Sequence, residues 1–326
     1  MSDYVMSLPK PGGPEAFERR EIATPMPGPG EALIRHTAIG LNYLDTYHRS
    51  GLYPWPVEKD LVPGSDGAGV VEAVGEGVSL VKPGDRVAYT KPFDAYSTRR
   101  VVPSDRLVPI PDGVSDAEAA SLMIKGLTTH YLIHSTFEVQ PGMTVLTQAG
   151  AGGVGLLMGQ WLADKGVTSI ATAGGLEKCA LAREAGFDHV IDYRAEDFVE
   201  RVKEITKDEK CHVVYDGVGN TTWKGSIACL KPRGMFVTFG QSSGPIEGFT
   251  LGDLAGGGSL YATRPTLFNY IATREELERR ASEMFAMVAE GKLKVQVNQE
   301  FPLERVADAH RALEGRETTG ATVLIP

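Results

Sequence analysis

The chain has 326 residues, a formal net charge of −9, 42% hydrophobic residues and 23% charged residues. Its length exceeds the size at which one hydrophobic core usually keeps growing, so two domains are expected. The ordinary apolar-to-charged balance gives no sign of disorder, and an acidic chain without a Lys/Arg-rich run argues against nucleic acid or an anionic membrane as the main partner.

Residues 1–110 read as β-rich. Short β-branched runs at Ala32–His36, Gly69–Val74, Arg86–Tyr89 and Tyr96–Val102 are punctuated by Pro27-Gly28-Pro29-Gly30 and Lys82-Pro83-Gly84-Asp85, a pattern of small barrels and sandwiches. From Ser115 the texture changes: Ser115-Asp116-Ala117-Glu118 has the form of a helix N-cap with acidic residues in the first turn, followed by an Ala/Leu/Met-rich helix. Residues 140–265 then alternate strand and helix. Strands are predicted over Thr144–Gln148, Ser169–Ala173, Val190–Tyr193, Val213–Asp216 and Met235–Gly240, with helices over Val154–Lys165, Glu177–Ala185, Ala195–Thr206 and Trp223–Leu230. Apolar strands separated by helices imply a parallel, doubly wound sheet. A long amphipathic helix over 274–290 follows, then strand-like Val295–Phe301 and Ala321–Ile325, so the tail is expected to return to the first domain.

The sharpest local motif is Gly150-Ala151-Gly152-Gly153-Val154-Gly155, a G-x-G-x-x-G between strand and helix. Gly150 permits the tight turn, Gly152 lets a pyrophosphate approach the backbone, and Gly155 lets the helix pack on the strand. Free N–H groups at the helix start then face phosphate charge. A glycine pattern alone is weak, as Gly67-Ala68-Gly69 inside a strand-like run shows; here the context is right. An NAD site places Asp or Glu about 20 residues further on, to bind the ribose hydroxyl. Here that position falls in Ala171-Thr172-Ala173-Gly174-Gly175, with no carboxylate. Lys178 at the next helix start, with Tyr193 and Arg194 after the third strand, suits a 2′-phosphate, so NADPH is the cofactor expected. The alternative for Lys178 is a solvated surface lysine.

Only three cysteines occur, Cys179, Cys211 and Cys229, which is no secreted disulfide framework. Met1-Ser2-Asp3-Tyr4 lacks a signal-peptide layout, and no apolar run approaches the ~20 residues of a bilayer span. A cytoplasmic setting is expected. His130 and His134 stand four apart in a candidate helix, but Tyr131 occupies the place where a metalloprotease motif has Glu. No metal site is expected.

Several stretches together resemble the medium-chain dehydrogenase/reductase superfamily, above all Gly69–Val78 followed by Val81-Lys82-Pro83-Gly84-Asp85-Arg86-Val87. Within it the chain is similar to the quinone oxidoreductases of the zeta-crystallin type. The carrying residues are Gly40–Tyr47, Arg49–Pro54, Lys125-Gly126-Leu127-Thr128, the glycine turn, Val214–Gly219, Phe239-Gly240 and Thr263-Arg264-Pro265. The resemblance implies an α/β protein in which a GroES-like, β-rich catalytic domain (1–125 and 267–326) is split around a Rossmann NADPH-binding domain (126–266), with the active site between them. It further implies a homodimer or homotetramer. The superfamily's zinc branch has a catalytic cysteine and a Gly-His-Glu segment where this chain has Asn42 and Gly64-Ser65-Asp66, so a zinc-independent member is implied.

Carried over residue by residue, the resemblance places Asn42, Tyr47 and Tyr53 around nicotinamide and substrate, and Thr128 at the nicotinamide side. Gly150, Gly152, Gly153, Val154 and Gly155 form the pyrophosphate turn. Gly174, Lys178 and Tyr193 meet the 2′-phosphate, Phe239, Gly240 and Thr263 the cofactor wall, and Arg316 the phosphate end. The implied activity is NADPH:quinone reduction, in which the protein mainly holds the acceptor at near-attack distance from the nicotinamide. Two alternatives stay open: an NADPH-dependent reductase of enal or enone double bonds, and a non-enzymatic NADPH-binding protein serving as a crystallin or RNA binder.

Overall fold

The β-branched runs of the first hundred residues pair with one another. In the computed structural model, which describes residues 2–326, β1 (Asp3–Ser7) lies antiparallel to β2 (Glu18–Ile22). Next come β3 (Glu31–Leu41), helix α1 (Tyr43–Ser50), β4 (Asp66–Val74), β5 (Arg86–Thr90), β6 (Arg99–Pro103), β7 (Val108–Pro109) and α2 (Asp116–Tyr131). The alternating region supplies β8 (Thr144–Thr147), α3 (Gly153–Ala163), β9 (Thr168–Ala173), α4 (Leu176–Glu184), β10 (His189–Asp192), α5 (Phe198–Thr206) and β11 (Cys211–Asp216). It continues with α6 (Trp223–Ala228), β12 (Leu230–Thr238), α7 (Leu251–Gly256), β13 (Tyr261–Thr263) and α8 (Leu267–Tyr270). The tail is α9 (Arg274–Ala289), β14 (Val297–Pro302), α10 (Val306–Glu314) and β15 (Ala321–Ile325).

The chain divides into two units: one runs to Leu127 and resumes over Ile271–Pro326, and the other is Thr128–Tyr270. In the first, a seven-stranded sheet has the order β14-β15-β3-β4-β5-β7, with β6 also on β3. The tail therefore does return to this sheet, β15 pairing antiparallel with β3. The register of β3 on β4 sets Gly40 opposite Asp66. Helix α2 packs so closely here that a side chain at Gly40 would meet the Ala120 carbonyl, which holds the Lys125 turn of α2 near the end of β3. In the second unit the six strands β10-β9-β8-β11-β12-β13 are parallel throughout. Leu146, Ile170, Val214 and Phe236, one from each of four central strands, are buried in one core cluster. The strand order reverses between β8 and β11, the topological switch point where such sheets bind ligands outside the strands' carboxyl ends.

Ser115 and Glu118 form the expected cap of α2, Glu118 N–H donating to Ser115 Oγ (3.2 Å) and Ser115 N–H to Glu118 Oε2 (2.9 Å). The helix predicted from Ala195 starts instead at Phe198, because the Asp197 carboxylate accepts from the Val199 and Glu200 N–H groups and fixes the N-terminus there. Helices α1, α7, α8 and α10 and strands β1, β2, β7 and β13 have no counterpart among the predicted elements. Among the described residues, no helix is long and apolar enough to cross a membrane.

Candidate active site

Helix α3 begins directly at the glycine turn, with Gly152 as an extended N-cap (φ −80°, ψ 169°) and no side chain capping it. Its first N–H groups thus lack intrahelical partners. The three motif glycines differ in their surroundings. A Cβ on Gly155 would stand 2.5 Å from the Ala149 carbonyl oxygen, and one on Gly150 would stand 2.5 Å from Ala171 Cβ; these two are packing positions. A Cβ on Gly152 would meet only the Ala149 carbonyl oxygen, at 3.2 Å, so the space before the helix start is open. Open space over uncapped N–H groups fits a pyrophosphate. Behind the turn runs a buried polar chain: Ala149 N–H donates to Thr172 Oγ1, which donates to Gln148 Oε1 (2.6 Å). Gln148 Nε2 donates to Ser226 Oγ (3.1 Å), and Ser226 Oγ donates to Asp216 Oδ2 (2.7 Å). Asp216 in turn accepts from the Val218 and Gly219 N–H groups, tying the loops after β8 and β11 together.

At the end of β9 the chain turns through Gly174 and Gly175, the latter with φ +90°. Asp192 Oδ1 accepts from the Gly175 N–H (2.9 Å) and the Arg194 N–H (3.0 Å), and these bonds hold its carboxyl below the usual range. The tyrosine ring of Tyr193 and the guanidinium of Arg194 close over Gly174, leaving no room for a Cβ there. Tyr193 is exposed and Lys178 half-buried on the first turns of α4. The Asp192 carboxylate beside this turn is engaged by backbone N–H groups, and the Tyr193 phenol and Arg194 guanidinium over Gly174 have the chemistry to hold a phosphate.

In the other unit, Asn42 is the N-cap of α1 and Asp45 completes its capping box. The helix stops at Gly51 in the left-handed conformation (φ 79°). The chain then folds back, so that the Tyr53 N–H bonds the Tyr47 carbonyl (3.1 Å) and the two rings lie 5.3 Å apart. His48 and Phe93 extend this aromatic wall, with ring centroids 4.6 Å apart. Neither stood out in the sequence. Burial lowers the His48 pKa to about 4, so its ring is neutral. Phe93 and Asp94 both have positive φ (66° and 65°), and Arg100 steadies the preceding backbone by donating to the Lys91 and Pro92 carbonyls.

Beneath Asn42 lies a set of buried charges. Lys125 Nζ donates to the Leu41 carbonyl and to Asn42 Oδ1, each at 2.9 Å, while Asn42 Nδ2 donates to Asp66 Oδ2 (2.9 Å). Asp66 Oδ2 also accepts the Ile124 N–H, and Asp45 Oδ2 accepts from the Asn42 N–H and from Tyr96 OH. Burial pushes the Asp45 carboxyl up to about 7 and the Asp66 carboxyl up to about 6, and it lowers the Lys125 ammonium. Of these residues the sequence singles out Asn42 as a site residue; the roles of Asp45, Asp66 and Lys125 beside it come from the structure.

Thr128 is buried on α2 beside Tyr131, whose ring stacks on Tyr270 at 4.3 Å. Phe239 lies against Gly217, and Gly240 approaches the Gly217 carbonyl where the β11 and β12 loops meet. Arg264, next to Thr263, donates to the Gly240 carbonyl (3.2 Å) and to Gln241 Oε1 (3.1 Å), stapling the end of β13 to that loop. Arg316 (φ +60°) belongs to the first unit; burial raises the pKa of the Tyr43 phenol, and the nearby Arg316 charge offsets part of that rise. His130 and His134 do share a face, their rings 4.6 Å apart and both edge-on to Trp161, which is a packing role.

A family model described as alcohol dehydrogenase GroES-like domain matches residues 28–112, and one described as zinc-binding dehydrogenase matches residues 185–324. The chain is 49% identical over 316 residues to a quinone oxidoreductase of Pseudomonas aeruginosa, covering 97% of each. It is 42% identical over 326 residues to a 2-haloacrylate reductase of a Burkholderia species, again covering 97% of each. A crystal structure of Escherichia coli quinone oxidoreductase complexed with NADPH superposes with a TM-score of 0.97 at 44% identity, covering 99% of this chain and 100% of that one. The architecture is thus that of the medium-chain dehydrogenases/reductases, a GroES-like domain with a parallel-sheet Rossmann domain. Within them, the chain belongs to the quinone oxidoreductase family. Zinc does not fit the donors present. The Asn42 amide oxygen already accepts from a lysine ammonium, and all three cysteines are buried in the Rossmann unit. Among the described residues, no three His, Cys, Asp or Glu side chains gather where they could hold a metal ion.

Proposed function

We propose that the chain is an NADPH-dependent quinone oxidoreductase. In this reading the segment 126–266 holds the cofactor, and 1–125 with 267–326 shapes the acceptor site. The observation that carries it is the end of β9, which has no carboxylate of its own and where Tyr193 and Arg194 stand over Gly174 next to the open glycine turn, with Lys178 on the helix that follows. Bound there, NADPH supplies the hydride. Gly152, Gly153, Val154 and Gly155 offer backbone N–H groups to the pyrophosphate; Gly174, Lys178 and Tyr193 receive the 2′-phosphate. Phe239, Gly240 and Thr263 wall the nicotinamide half, with Thr128 beside the ring and Arg316 at the phosphate end. Tyr47 and Tyr53 offer flat apolar faces to a planar acceptor, and Asn42 orients it.

The 2-haloacrylate reductase relative favours one second reading, reduction of an activated carbon–carbon double bond. Initial rates of NADPH oxidation with 9,10-phenanthrenequinone, 2-hexenal and 2-chloroacrylate separate the two. Quinone turnover at least about tenfold above both alkenes is expected, and the reverse order would replace the first reading with the second. A homodimer is part of the proposal. The outer edge of β13 has no strand partner among the described residues, and Tyr261 and Leu251 beside it are 59% and 81% exposed. Light scattering should give about twice the 35.0 kDa of one chain. Three buried thiols with no disulfide suit a cytoplasmic setting.

A further inference from the structure

The charged group under Asn42 is more than helix capping requires. Asp45 alone completes the cap of α1, yet a second carboxylate and an ammonium are also withdrawn from water here, at a desolvation cost that ordinary packing residues would avoid. Asn42, Asp45, Asp66 and the flanking Tyr96 and His310 are all buried, whereas the Lys125 residue is half-buried. Tyr43, Tyr47 and Tyr53, around the same helix start, are also half-buried. Behind the lysine, Asp45 Oδ1 and Ser65 Oγ are buried without a bonding partner, and the Thr90 hydroxyl is turned to the Asp66 carboxylate. Asp66 and Thr90 face each other across β4 and β5. Such a polar recess suits a buried water or a carboxyl proton.

We propose that Lys125 is the acid of the acceptor site, its ammonium meeting the oxygen on which negative charge develops, with Asp45 and Asp66 as the proton store behind it. This rests on the reading of the chain as a quinone reductase. Addition of hydride to a quinone brings two electrons and one hydrogen and leaves an aryl oxide. The Lys125 N–H bond breaks with its electron pair staying on nitrogen, and the O–H bond of the hydroquinone forms. The neutral amine then takes a proton from the Asp45/Asp66 recess or from water, so one solvent proton is consumed per turnover. The Asn42 amide, tied at Oδ1 to Lys125 and at Nδ2 to Asp66, keeps the ammonium in place. The titratable and charged groups facing Lys125 are Asp45 from α1 and Asp66 from β4, with Tyr96 OH, His310 and Arg49 behind Asp45. Burial holds the His310 imidazole neutral, and Arg49 is engaged by Glu314, so neither competes for the proton.

The test compares Lys125→Met and Lys125→Arg with the wild type, all as the full chain with NADP⁺. The first readout is equilibrium binding of 4-nitrophenol, whose phenolate has its own visible band. The wild type and Lys125→Arg should bind the phenolate in preference to the phenol by about tenfold or more, the scale of a charge-assisted hydrogen bond, and Lys125→Met should lose that preference. The second readout is the pH profile of quinone turnover. The wild type should lose activity on an alkaline limb lying below the usual lysine range, and Lys125→Arg, whose guanidinium does not deprotonate, should lack that limb. Lys125→Met should lose about 10²–10⁴-fold in kcat. Unchanged phenolate preference in Lys125→Met, or an alkaline limb retained in Lys125→Arg, overturns the proposal. A wild type that binds phenolate but reduces no quinone would overturn the functional reading instead. Should Lys125→Met fail to fold, the Lys125→Arg pH profile decides alone.

Discussion

Gly152→Ala separates a ligand cradle from a packing glycine at a single atom's cost. Its backbone is extended (φ −80°, ψ 169°), a region alanine adopts freely, and the added Cβ meets only the Ala149 carbonyl oxygen at 3.2 Å. The tight contact costs a few tenths of a kcal/mol to about 1 kcal/mol, and the entropy removed from the unfolded chain returns about 0.4–1 kcal/mol. The net change in Tm should then be within about 4 °C. In the proposed binding mode the methyl would stand where phosphate oxygens approach the α3 N–H groups. Losing one charge-assisted bond of about 1.5–3 kcal/mol weakens NADPH binding roughly 10- to 150-fold. Gly155→Ala drives its Cβ to 2.5 Å from the Ala149 carbonyl oxygen and 2.7 Å from Gly150 Cα. It should therefore lose about 1–3 kcal/mol or more of stability through overpacking. Nucleotide fluorescence titration and thermal melts on both variants read the two effects apart. A Gly152→Ala protein that binds NADPH within twofold of wild type, or melts as low as Gly155→Ala, refutes this division of labour.

Lys178→Ala should raise the KM for NADPH by about 10- to 150-fold and leave that for NADH nearly unchanged; equal losses with both nucleotides would return Lys178 to the solvated surface. Tyr53→Phe keeps the ring 5.3 Å from Tyr47 and should lose less than about tenfold in kcat, below the general-acid range, whereas a hundredfold drop with intact NADPH binding would make the phenol the proton donor. Asp45 carries a folded-state pKa of about 7 against an ordinary 3.8, so the stability it contributes is fully present below pH ~4 and is lost as pH rises toward 7. Asp45→Asn should gain on the wild type over that interval by up to about 1.4 kcal/mol per pH unit, and parallel Tm-versus-pH curves for the two proteins would rule out titration at this site.

How much of this was legible follows the range of the interactions. The glycine turn, the missing carboxylate after Ala173 and the strand–helix alternation are local patterns, and they lie in the structure where the sequence puts them. Helix α1 has eight residues, too short for a 3.6-residue period to show, although its Asn42-x-x-Asp45 cap and Gly51 stop were there to be read. Strand β2, Glu18-Arg-Arg-Glu-Ile22, is almost wholly exposed, so no alternation marks it. In the Lys125 group only Asn42 could be named as a site residue from the sequence; the association of the four could not. Its members at 42, 45, 66 and 125 meet only through the Gly40–Asp66 register and the close packing of α2 on β3. His48 and Phe93 join the tyrosines through a left-handed turn at Gly51 and a loop of two non-glycine residues at positive φ, which no motif specifies.

The central claim is hydride delivery from NADPH to a quinone. The most direct measurement is the initial rate of nucleotide oxidation by the full-length protein with 9,10-phenanthrenequinone, NADPH and NADH compared at equal concentration. The account predicts stoichiometric quinone reduction with kcat/KM for NADPH at least about tenfold above that for NADH, the scale set by one phosphate contact. No quinone reduction with either nucleotide, or a preference for NADH, would contradict it.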